Sequence, residues 1–302
     1  MKKIKLVCNQ QIGDCIRCTT VAKLIKEQYS EYEIMPIMSH PCVFDNNPHT
    51  INSFEKKVFN TASDKEKKAL RVVCNQDDEK GKIDNKMSIH KLKENDATMV
   101  DAMIGYINGK YGFKIKVTDQ FPDLYLSDEE KKVRVAGRYF VVNCGSEYDN
   151  TRKQYPTQYW QEIFDGLPDV RFVQVGMSKD NHETFENKNV INGLDKYNIR
   201  RTMGLVYNSE GIISPYSFLA HVGAGLRKPA IVLGGGGEDI SWENYDYKHY
   251  NLLHTIGSFE CCRAGGCWVS DCKNKDEEGD NKCMKLIKPK LIIDIIKSIW
   301  KH

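Results

Sequence analysis

Gly211 to Glu238 reads GIISPYSFLAHVGAGLRKPAIVLGGGGE. An apolar strand-like run is followed by a short loop, a lone histidine inside a small-residue helix pattern, Lys-Pro, a second apolar run and four glycines. That order describes half of a nucleotide-binding α/β domain. The loop after the first run falls at the carboxyl end of a strand, where the next helix points its unpaired N–H groups toward a bound anion such as a diphosphate. Gly223, Ala224 and Gly225 keep the helix face thin, and Pro229 stops the helix before Ala230 to Leu233 re-enters the sheet. The run Gly234 to Gly237, Gly235 within it, offers backbone that can lie against a ligand.

Working outward, the pattern repeats. Lys3 to Cys8 predicts a strand, Asn9 to Gly13 a loop and Cys15 to Tyr29 a helix with Asp14 at its start; Glu33 to Ile37 predicts a second strand. Lys67 to Cys74 fits either class, and Gln76 to Lys86 is charged enough to be a solvated loop. Thr98 to Tyr111 has the helical period, and Ser127-Asp-Glu-Glu-Lys-Lys marks a boundary. From Tyr139 the theme restarts: strand to Cys144, loop with Lys153 and Pro156, helix Thr157 to Leu167, strand Arg171 to Val175, helix Asn198 to Tyr207. Two α/β halves with parallel sheets follow, 1–130 and 131–302, a division that 302 residues accommodate easily.

Composition narrows the class. A net charge of +3 from 44 basic and 41 acidic side chains gives no field suited to a polyanion. No stretch approaches the ~20 apolar residues of a membrane span, and Met1-Lys2-Lys3 leads into a strand-like run rather than a secretory signal, so a cytoplasmic protein is expected.

Eleven cysteines divide unevenly. Cys8, Cys15, Cys18, Cys42, Cys74 and Cys144 look scattered, whereas Cys261, Cys262, Cys267, Cys272 and Cys283 crowd into the tail. In a reducing compartment such crowding reads as a metal knuckle over 261–284 before it reads as disulfides. Adjacent Cys261 and Cys262 contribute one ligand between them. Taking Cys262, the set Cys262, Cys267, Cys272 and Cys283 is tetrahedral iron or zinc of a structural kind, because four thiolates leave no open position. The plainer reading is a patch of small hydrophobes.

Gly13-Asp14 after the first strand, Lys153-x-x-Pro156 after a strand of the second half, and His221-x-x-Ala-Gly-Leu-Arg-Lys-Pro229 together resemble glycosyltransferase family 9, the ADP-heptose heptosyltransferases. The Cys-rich tail is similar to that of autotransporter heptosyltransferases, which carry a four-cysteine iron finger. The resemblance implies a GT-B fold, two Rossmann-like domains facing across a cleft, with the acceptor mainly on the first and the nucleotide sugar on the second. It implies an inverting transfer with Asp14 as general base and Lys153 and His221 on the donor phosphates. It implies no catalytic divalent metal. Glu238 would meet a sugar or ribose hydroxyl. One loop departs from the family: Tyr216, Ser217 and Phe218 stand where Asp-Thr-Gly or Asp-Ser-Gly is usual. There the phosphate role rests on Ser217, nearby backbone and the helix start.

The chemistry of sugar transfer needs these residue types. A base takes the acceptor's proton, and cations or N–H donors meet the charge that grows on the departing diphosphate. Each residue also has a bland role: Asp14 a helix cap, Lys153 a solvated lysine, His221 a satisfied core histidine. The acceptor stays open among a glycan, a protein and a modified base, and a homo-oligomer is compatible with the sequence. A non-catalytic nucleotide-sugar-binding protein is the alternative.

Overall fold

A computed structural model describes residues 2–8, 10–51, 70–74, 98–146, 151–237, 240–262 and 272–301. They form two compact units, residues 1–127 and 128–302.

In the first unit, β1 (Lys2–Cys8) lies between β2 (Tyr32–Met38) and β3 (Leu70–Val73), all parallel. The register pairs Ile4 with Ile34 on one side and with Leu70 on the other. The ambiguous run before Cys74 is therefore a strand. Ile4 and Leu6 are fully buried, as are Ile16, Leu24 and Ile25 of α1 (Ile12–Gln28). That helix begins three residues before the expected Cys15. Gly13 does not break it because the N–H groups of a first turn need no intrahelical partner. Asp14 thus sits inside the first turn, where a carboxylate is favoured by the helix dipole, rather than capping it. The second helix, α2 (Met99–Tyr111), has a full capping box between Thr98 and Asp101 and ends on Gly112 at φ +73°. The charged stretch Gln76 to Lys86 lies outside the described residues.

The second unit holds six parallel strands: β4 (Phe140–Val142), β5 (Phe172–Gln174), β6 (Val190–Asn192), β7 (Gly211–Pro215), β8 (Ala230–Gly235) and β9 (Tyr250–His254). Their order is β6-β5-β4-β7-β8-β9. Counted from β4, this is the 3-2-1-4-5-6 order of a dinucleotide-binding fold, with its switch point between β4 and β7. Central β4, β7 and β8 are buried throughout, which explains their continuous apolar runs. Around them lie α3 (Thr157–Asp165), α4 (Ile199–Tyr207), α5 (Phe218–Gly225) and α6 (Pro289–Trp300). Trp160 and Phe164 of α3 and Ile292 and Ile296 of α6 join Phe140, Phe172, Ile213 and Leu233 in one core. The one-turn helix Asp128–Lys131 is fixed to α4 by a two-pronged ion pair, Arg200 to Glu130, with both contacts at 2.6 Å.

Candidate functional site

In sheets of this order ligands sit outside the carboxyl ends of the strands, where the order reverses. The loops after β4 and β7 therefore frame the candidate site. After β4, Thr151–Lys153 makes a single 3₁₀ turn in which Arg152 is buried and Lys153 half-buried. Asn281 Nδ2 donates to the carbonyls of Thr151 (2.7 Å) and Gln154 (3.2 Å), so the Cys-rich tail holds this turn in place. The Tyr155 hydroxyl, donating to Ile287 O at 2.8 Å, adds a second tie.

After β7, Ser217 is the N-cap of α5: its Oγ accepts from Leu219 N–H at 3.2 Å and lies 3.0 Å from Ser214 Oγ. His221 follows one turn on. It is buried, and its Nδ1 is 2.8 Å from the hydroxyl of buried Tyr245, the two rings meeting edge to face. Tyr245 had no signal in the sequence, being one tyrosine of 15. Tyr216, in the position of the family acid, is buried with its ring against Gly234, where an added Cβ would lie 2.7 Å from the Tyr216 Oη.

Gly235, at φ +53°, ends β8 beside β7. Its missing Cβ leaves room for Met284 Sδ, and that of Gly236 for Cys262, whose Cβ would be 2.7 Å away. The close approach expected from the glycine run is thus made by protein side chains at 234–236. At Gly237 nothing but Gly234 O comes within 4 Å of an added Cβ. Gly235 is the last residue of β8, Ser217 follows the end of β7 by two residues, His221 lies within α5, and Lys153 lies in the turn Thr151–Lys153 beyond β4. Glu238 lies outside the described residues.

The tail packs against this glycine turn. Thr255 N–H donates to Gly235 O (2.7 Å) and its Oγ1 to Cys283 O (3.0 Å). Cys262, Cys272 and Cys283 are buried, while Cys267 lies outside the described residues. The Cys283 thiol is pushed up to about 11, first by burial and then by repulsion from Cys272, Cys262 and Cys261, with the Gly236 backbone partly opposing. Neighbouring sulfurs whose negative charges would repel that of Cys283 suit a thiophilic cation, which would replace its proton. Thiolates are the ligand type of structural iron or zinc, and Cys262, Cys272 and Cys283 do not all lie within 4.8 Å of one another. Among the described residues, the group of three or more metal-type side chains whose ligand atoms all lie within 4.8 Å is acidic: Asp276, Glu278 and Asp280. Lys285 reaches Asp276 at 2.5 Å and Glu278 at 2.7 Å, and Gln158 reaches Asp280 at 2.7 Å, so these carboxylates brace the tail.

In the first unit, Asp14 Oδ1 accepts from Arg17 Nη1 at 2.8 Å one turn along α1, with Arg17 nearly buried and Asp14 partly exposed. The carboxylate keeps a solvent-facing side while paired to Arg17. No described helix is long and apolar enough to cross a membrane.

No protein-family model matches the sequence. No curated protein matches it either. Among solved structures, the chain is similar to a family 9 glycosyltransferase of Veillonella parvula at 15% identity, with 99% of this chain and 97% of that one covered and a TM-score of 0.64. It is similar to ADP-heptose LPS heptosyltransferase II of Escherichia coli at 14% identity, 99% and 98% coverage and a TM-score of 0.62. For TibC, an iron-containing dodecameric glycosyltransferase of enterotoxigenic E. coli, identity is 13%, coverage 99% and 76%, and the TM-score 0.70. At these identities the likeness is one of fold, and the fold is the GT-B arrangement that the motifs imply.

Proposed function

We propose that this chain is an inverting glycosyltransferase of the family 9 kind, which moves a sugar from a nucleotide diphosphate to an acceptor hydroxyl. The observation that supports the reading is a likeness of fold over 99% of the chain to a family 9 glycosyltransferase and to a heptosyltransferase, joined to sequence motifs that resemble the family's in their order.

In this reading residues 1–130 are the acceptor-side domain and 131–302 the nucleotide-sugar domain. Asp14 takes the acceptor's proton as its oxygen attacks the anomeric carbon. The bond to the diphosphate breaks on the opposite face, which inverts the centre. Charge gathering on the leaving oxygen is met by Lys153, by His221 and by the N–H groups at the start of α5, with Ser217 and the Gly235 turn shaping the pocket. Since Nδ1 of His221 is engaged by Tyr245, Nε2 is the ring atom assigned to the phosphates. Glu238 is assigned a donor hydroxyl. Heptose is the family's usual sugar; a glycan, a protein or a modified base serves as acceptor.

Cys262, Cys267, Cys272 and Cys283 would hold structural iron or zinc, in keeping with iron-containing TibC. Such a metal would supply a crosslink and no chemistry. A homo-oligomer and a cytoplasmic location belong to the same proposal.

Tyr216 favours a second reading, a nucleotide-sugar-binding protein without turnover, because an aromatic ring stands where the family places an acid. One experiment separates the two: incubation with a panel of nucleotide sugars, following binding by calorimetry and products by mass spectrometry. Transfer or slow hydrolysis of one donor supports the enzyme, tight binding without turnover the second reading, and binding of none overturns both.

A further inference from the structure

Four of the cysteines that look dispersed in the sequence meet in the first unit. Cys8 ends β1, and Cys74 follows β3 with its N–H on Val7 O at 3.0 Å, so the two close adjacent parallel strands. Cys15 and Cys18, three residues apart, share a face of α1 laid over them. None of the four is in a disulfide, and all are 0% exposed. Cys18 Sγ lies 3.1 Å from Cys74 Sγ, the Cys8 thiol is in hydrogen-bond contact with those of Cys15 and Cys18, and Cys15 reaches Ser39 Oγ at 3.2 Å. The sulfurs run in a file from Cys15 to Cys74. No three of them lie within 4.8 Å of one another.

We propose that Cys18 and Cys74 are a reversible disulfide site. Their separation exceeds the ~2.05 Å of an S–S bond by only about 1 Å, and they join elements 56 residues apart in sequence. The oxidant is a low-molecular-weight disulfide. One protein thiolate attacks it, releases one small thiol and leaves a mixed disulfide; the second protein thiol then displaces the second small thiol. The protein pair loses two electrons and two protons, which end on the two small thiols. Both thiols are fully buried and burial raises that of Cys18, so the small disulfide reaches them only on local opening of α1 from β3, and exchange is slow at neutral pH and quickens as pH rises. The bond would draw α1 toward the end of β3. Asp14 lies one turn from Cys18 on that helix, so oxidation would displace the proposed base; this last step alone rests on the glycosyltransferase reading.

The test treats the reduced native protein with oxidised glutathione from neutral to mildly alkaline pH, then alkylates, digests and maps peptides by mass spectrometry. A Cys18–Cys74 linked peptide is expected, reversed by dithiothreitol, absent in Cys18→Ser and in Cys74→Ala, and accompanied by a raised melting temperature. Full alkylation of Cys18 and Cys74 while the tail cysteines oxidise would overturn the proposal, as would a link from Cys18 to Cys8. A linked peptide with unchanged turnover would uphold the disulfide and overturn the displacement of Asp14 by it.

Discussion

Tyr245 Oη stands 2.8 Å from His221 Nδ1 with both side chains buried, so a hydroxyl 24 residues away fixes the orientation of the imidazole. Tyr245→Phe removes that hydroxyl and leaves Nδ1 buried without this partner. The cost of an unmet buried acceptor or donor is about 1–3 kcal/mol. Urea unfolding should show a loss of that size with unchanged slope. Donor affinity should weaken along with it, since a loosened ring no longer presents one nitrogen.

Asp14→Asn retains the shape of the side chain and an oxygen that Arg17 Nη1 can still reach. It removes the ability to take a proton. If Asp14 is the base, kcat should fall about 10²–10⁴-fold while donor binding and the circular-dichroism melt stay as in the parent. Unchanged turnover would remove Asp14 from the mechanism.

Gly236 is glycine because Cys262 fills the space where a side chain would begin. In Gly236→Ala the new Cβ would sit 2.7 Å from Cys262 Cβ and 2.9 Å from its Sγ. Overpacking of this kind costs about 1–3 kcal/mol. Gly237→Ala, with nothing nearer than Gly234 O at 3.6 Å, should cost far less. Denaturant midpoints of the two variants give the comparison directly, and equal losses would refute the packing account.

The central strands were legible because parallel strands buried on both faces read as unbroken apolar runs, as in Ile212–Ile213 and Ala230–Leu233. The outer strands were not. Val190–Asn192 spans three residues, and Tyr250–His254 is half-buried with polar Asn251 and His254, so neither carries a clear period. The start of α1 was misread because Gly13 looks like a breaker, though a first turn tolerates it. His221 and Ser217 could be picked out from their place after an apolar strand, but Tyr245, Asn281 and the file of thiols from Cys15 to Cys74 depend on contacts between distant segments. Local pattern holds no record of those contacts.

His182 gives the second unit a pH-dependent weakness. Its ring packs over Gly145 and Gly176, and Gln174 Nε2 approaches its Nδ1 at 3.5 Å. Burial lowers the imidazole from 6.5 to about 4, with Asp195 partly opposing. The folded state thus favours the neutral ring, and the unfolded chain binds the proton more readily. Stability from this group is fully present above 6.5 and is lost as pH falls from 6.5 toward 4. The ring is only partly buried, so the slope stays below a ceiling of about 1.4 kcal/mol per pH unit. Urea midpoints across that window should fall in the parent and flatten in His182→Gln.

The Cys-rich tail grips both loops of the candidate site: Asn281 holds the Thr151–Lys153 turn, and Thr255 links Gly235 to Cys283. A metal on Cys262, Cys267, Cys272 and Cys283 would stiffen those grips without touching a reacting atom. Removing it should therefore loosen the second unit first, and turnover should decline only as the fold does. A loss of even about 2 kcal/mol would lower Tm by about 4–8 °C in a unit of this size. Metal content, melting and activity measured along one chelator titration decide the matter: the melt should drop with or before activity, and Cys283→Ser should reproduce the drop without chelator. Activity lost at full thermal stability would mean that the metal acts on substrate, contrary to a closed thiolate site.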